Sequence, residues 1–178
     1  FSAYVGYAFA ERYRIPSDVL RQEISDETFI QSQNLGLFTF TPWDVLFHNV
    51  RVLVAAALLA VFSFGTLAIA LLMLPLAVIF FLVVQAATVY NPVVFFAAAV
   101  LPHGVLELPA AVIATGLAVR LGAVFMSPPK GMTVGEGWLL ALADFVKVLL
   151  ALVVPLLALA AVIEVYVTPL VVVRVLGG

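Results

Sequence analysis

The sequence has 178 residues with no cysteine and only two histidines. Without cysteine there is no disulfide, no thiolate metal site, no iron–sulfur cluster and no thiol nucleophile, and nothing marks the redox compartment. Two histidines exclude a three-histidine metal centre. Charge is scarce too: 10% of residues are charged and 65% hydrophobic, whereas soluble domains run near 25% and about 45–50%. Eight basic residues, a net charge of −2 and no Lys/Arg cluster leave no electrostatic footprint for nucleic acid, whose backbone must be gripped by several cations on one face.

What is present is apolar length. Arg51 and Glu107 are consecutive charged positions, so residues 52–106 contain no Asp, Glu, Lys or Arg, and mean hydropathy over the chain is +1.23. As helix, at ~1.5 Å per residue, that stretch is about 80 Å long and crosses a ~30 Å hydrocarbon layer twice. The chain therefore reads as an all-α polytopic transmembrane helix bundle, one integral membrane domain over residues 1–178.

Nine of its eighteen charges fall in residues 11–44, the one sizeable aqueous or interfacial segment. Within it, Pro16, Ser17 and Asp18 suit a helix start, and Val19, Leu20, Ile24, Phe29 and Ile30 recur at roughly helical spacing, so a short amphipathic helix competes with a plain solvated connector. Phe1 to Ala10 is apolar but too short to span, and reads as the end of a first transmembrane helix rather than a signal peptide. Four full spans are predicted after it. One runs from about 43 to 64, behind Trp43 at headgroup level, and a second from about 66 to 89 with Pro75 inside. Tyr90, Asn91 and Pro92 end the second. A short piece, 93–101, is broken from a main helix at about 103–125 by Pro102 and Gly104. After a Pro/Gly-rich turn, Trp138 starts a last helix that ends near Val167, with Pro155 inside.

Ionisable residues in apolar helices are costly, at ~2.5–3.5 kcal/mol each on insertion scales, and so are the candidates for function or pairing. His103 and Glu107 stand four apart, on one helix face. Three readings of the pair stay open. In the first they are structural, Glu107 being neutralised by protonation or by Arg51, Arg120 or Lys147. In the second they form a metal or proton site with Glu164, although the His-Glu-x-x-His zinc signature is missing and no metal is assigned. In the third they face a lipid, peptide or ion pathway. Asp144 and Lys147, three apart, are expected to pair with each other, and Arg120 to snorkel at its helix end. Glu164 is expected at the interface, where Thr168 and Pro169 should end the last helix. Asn49 and Gln85 are lone amides able to bond across helices, and alanine-rich stretches such as Ala55–Ala57 and Ala110–Ala111 allow close helix contact.

Pro102-His103-Gly104, Glu107-Leu108-Pro109-Ala110 and Arg120-Leu121-Gly122 resemble the signature of the stage II sporulation protein M family of multi-pass membrane proteins. Phe47, Asn49 and Phe64-Gly65 resemble its second span, and Ala161, Ile163, Glu164, Thr168 and Pro169 its closing helix. The sequence departs from the pattern at Gln85-Ala86, where Asn-Gly is expected. The resemblance implies a component of an engulfment or membrane-remodelling machine that works with partners acting on the cell envelope, with residues 11–44 outside the cell. It implies no catalytic mechanism and no cofactor. The expectation is a non-enzymatic scaffold in the cell membrane, surrounded by lipid and homodimeric, whose polar motif is His103, Gly104, Glu107, Pro109 and Glu164. The alternative is a transporter or channel with its site around His103 and Glu107, motivated by the break at 93–104 and by Pro75 and Pro155. An intramembrane metal hydrolase using His103, Glu107 and Glu164 is a weaker third idea.

Overall fold

The computed structural model describes residues 1–18 and 41–177. The amphipathic helix anticipated from Pro16 to Ile30 lies, from residue 19 on, outside the described residues. Every described element is a helix: α1 (Ser2–Arg12), α2 (Pro42–Phe62), α3 (Thr66–Ala86), α4 (Pro92–Ala99), α5 (Leu101–Ala123) and α6 (Val134–Leu176). Four of them, α2, α3, α5 and α6, are long and apolar enough to cross a membrane, as expected, with α1 as the short helix before them. The described residues fall into two compact units.

The first unit takes the described residues of Phe1–Trp43, with Leu74–Val105 and Ala160–Gly178. In it α1 lies on the second half of α3 so closely that a Cβ on Gly6 would overlap the Ala77 carbonyl oxygen. The Asn91 side chain caps α4, its Oδ1 accepting from Val93 N at 3.0 Å and Val94 N at 3.4 Å. The break follows at Val100. Pro102 has no N–H for the Ala98 carbonyl and its ring crowds that oxygen, so α4 cannot continue, whereas a proline in the first turn of α5 costs nothing. The end of α6, Thr168–Leu176, packs on α4.

The second unit takes Asp44–Met73 and Leu106–Leu159. Its core is a seam of small residues: Ala56, Ala57 and Ala60 of α2, Ala68 of α3, Ala110, Ala114 and Ala118 of α5, and Ala141 of α6, with Leu53, Leu121, Val124, Phe145, Leu149, Val153 and Leu157 completing it. In lipid, where no water is expelled between helices, such residues let backbones approach and gain dispersion contacts. The turn from α2 to α3 falls at Gly65 as expected. Phe64 and Gly65 have φ of 53° and 93°, and Gly65 N donates to Ala60 O at 2.9 Å, which closes the end of α2.

Two helix limits differ from expectation. The last helix begins at Val134, not Trp138, because Thr133 and Glu136 form a capping box: Glu136 N donates to Thr133 Oγ1 at 3.3 Å and Thr133 N to Glu136 Oε2 at 2.8 Å. It also continues to Leu176 instead of ending near Val167. The reason lies in two π-helical turns, Leu149–Val153 and Ile163–Val167, each ending two residues before a proline. A proline ring clashes with the carbonyl four residues back. For Pro155 and Pro169 those carbonyls belong to Ala151 and Val165, inside the widened turns, so the helix absorbs both prolines without ending. The first wide turn also aligns the buried stripe Ala141, Phe145, Leu149, Val153 and Leu157. Steps of four overshoot a 3.6-residue turn by about 40° each, and a wider turn takes part of that back.

Candidate functional site

His103 sits in the first turn of α5, one residue after Pro102, and is half-buried. Within the first unit its Nδ1 lies 3.2 Å from Thr168 Oγ1, and Thr168 is buried directly after the second π turn. Glu164 belongs to that π turn and is half-buried. Its carboxylate and the His103 imidazole offer ligand atoms within 4.8 Å of each other. α6 runs on for three further turns beyond it, so Thr168 and Pro169 do not end the helix there.

Glu107 follows His103 by four residues in the sequence of α5 and belongs to the second unit. Within the second unit Asn49 Nδ2 of α2 donates to Glu107 Oε1 at 2.9 Å. The bonding partner is thus an amide on a neighbouring helix rather than Arg51, Arg120 or Lys147; Arg51 and Lys147 are exposed. Gly104 is buried, yet a Cβ there would make only ordinary contact, 3.5 Å from Val100 Cγ1, so no close approach demands glycine. Pro109 is inside α5 and leaves the Val105 carbonyl without its helical donor.

The other charged residues rearrange relative to expectation. Arg120 does not snorkel freely and Asp144 does not take Lys147: Arg120 Nη1 donates to Asp144 Oδ2 at 2.6 Å, joining the last turn of α5 to α6. Helix spacing proposes only local partners, and the cross-helix one offers a guanidinium at bonding distance. Both side chains are more than a third exposed, so the pair is worth only about 0–1 kcal/mol. Asp144→Asn should shift the thermal midpoint in detergent by no more than roughly 3 °C. A fall of 8 °C or more would place the pair in a drier setting.

Gln85 is the polar residue whose role the sequence does not reveal. It is 2% exposed. Its Oε1 accepts from Ile15 N at 3.2 Å, and its Nε2 donates to Tyr13 O and, at 3.5 Å, to Ala10 O, so one side chain holds the backbone leaving α1. The sequence marks Gln85 as a lone amide able to bond across helices and as a departure from the family pattern, but does not show which segment it holds.

With this geometry in view, comparison with known proteins is informative for the family alone. The family described as stage II sporulation protein M matches residues 1–169. No curated protein and no solved structure matches the chain.

Proposed function

This multi-pass membrane chain belongs to the stage II sporulation protein M family, and on that premise we propose that it is a non-enzymatic scaffold of the cell membrane. It acts as a homodimer that remodels membrane through cell-envelope protein partners, with residues 11–44 on the outer side. The observation that supports this reading is the use made of the motif's polar groups. Glu107 accepts from Asn49 on another helix and His103 meets Thr168 on another, so each side chain joins its helix to a neighbour. Pairs of this kind are worth about 0.6 kcal/mol on average in membranes, up to about 1.7.

Glu107→Ala removes the acceptor and should lower the thermal midpoint in detergent by about 2–5 °C, with cellular function falling in step. Glu107→Gln keeps an oxygen for Asn49 Nδ2 and should be close to wild type in both respects. A Glu107→Gln protein that is fully stable yet inactive would show that the carboxylate itself does chemistry, and the scaffold reading would fall. The rival reading, a transporter or channel, draws on the break at Val100 beside His103 and the π turn that carries Glu164. Solute flux in proteoliposomes, lost in Glu107→Gln, would favour it.

A further inference from the structure

Three features of the first unit bear on one point. An imidazole from the first turn of α5 and a carboxylate from α6 offer ligand atoms within 4.8 Å of each other. The Glu164 carboxylate is carried by a π turn, a widened turn often found where a side chain must be aimed. The imidazole also meets a buried hydroxyl, Thr168 Oγ1, 3.2 Å from Nδ1.

From these we infer that His103 and Glu164 form a binding site for a divalent transition-metal ion such as Zn²⁺ or Mn²⁺. With Nδ1–H donated to Thr168, Nε2 carries the lone pair, and a histidine that ligates through one nitrogen while donating the other to a fixed acceptor is the usual arrangement at metal sites. Imidazole with carboxylate suits Zn²⁺ and Mn²⁺, whereas Mg²⁺ and Ca²⁺ take oxygen ligands. Water completes the coordination. Both ligands lie in the first unit. The site fixes α5 to α6 within the first unit and requires neither enzymatic activity nor a partner, so it stands or falls separately from the scaffold reading.

The test uses the full-length protein in detergent, stripped with a chelator and titrated with Zn²⁺, Mn²⁺ or Mg²⁺, with bound metal measured by equilibrium dialysis and unfolding followed by heat. The expectation is one equivalent of Zn²⁺ or Mn²⁺ bound, no comparable binding of Mg²⁺, and a midpoint raised by about 5 °C at a hundred times Kd. Glu164→Gln, nearly isosteric, should keep the metal-free midpoint within a few degrees and lose both the equivalent and the shift, as should His103→Ala. Thr168→Val should weaken binding by about 10–100-fold, as loss of an outer partner does. His48→Ala, which removes the only other histidine, should leave binding intact. Equal binding by wild type and Glu164→Gln, loss of binding in His48→Ala, or no metal-dependent rise in the wild type would each overturn the assignment.

Discussion

Gly122→Val should lower the thermal midpoint in detergent by roughly 5–10 °C, the cost of overpacking a tight contact with a branched side chain. A Cβ on Gly122 would overlap the Ala60 carbonyl oxygen and lie 2.5 Å from Gly65 N. Neither atom belongs to a side chain that can swing aside. They are donor and acceptor of the 2.9 Å bond that closes the end of α2, so to make room α2 and α5 must separate or the turn must open. Separation is expensive in this unit because its core is built from buried alanines on both helices, whose dispersion contacts decay steeply with distance. Gly116, on the same helix, supplies the contrast. Nothing lies within 4 Å of a Cβ there, and Gly116→Ala should be neutral or stabilising by up to about 1 kcal/mol through helix propensity. Equal midpoints for wild type and Gly122→Val would refute the close approach of α5 to the end of α2.

The four spans and the break before α5 are legible in the sequence because their causes are local. Apolar length sets a crossing, and Gly65, Asn91-Pro92 and Pro102 are turn or breaker residues with a defined effect on the backbone. Helix limits are less so when two signals compete. Thr133-x-x-Glu136 is a capping signature visible in the sequence, but Trp138 as a belt residue also reads as a start, and the cap's hydrogen bonds outweigh it. The persistence of α6 through Pro155 is expected from the apolar length around it, but its persistence through Pro169 is not legible, since composition does not distinguish a proline that ends a helix from one absorbed by a wide turn. The candidate site divides in the same way. The pair His103 and Glu107 follows from spacing on one helix. Their partners, Thr168 and Asn49, are 65 and 58 residues away, and only folding brings them into range. The same limit misdirects Asp144 toward Lys147 when Arg120, 24 residues off, holds it.

Gln85→Leu should release the chain that leaves α1. Leucine fills nearly the same volume in a site that is 2% exposed, so packing of the end of α3 is preserved while all three hydrogen bonds are lost. Ile15 N–H and the Tyr13 carbonyl then have no partner at positions only partly open to water. At about 1–3 kcal/mol for each buried group left unsatisfied, the combined penalty is about 2–4 kcal/mol. That is comparable to the stability of a short terminal helix, so the response should be local rather than global. Amide exchange over residues 10–15 should quicken by about 30-fold or more, and protease sensitivity should appear after Arg12 or Arg14, while the midpoint of the second unit moves little. Gln85→Glu distinguishes hydrogen bonding from volume. It keeps an acceptor for Ile15 N but sets a carboxylate against the Tyr13 and Ala10 carbonyl oxygens, and should loosen the segment at least as much as leucine does. Unchanged exchange in both variants would mean that the close fit of Gly6 against α3 alone holds α1 in place.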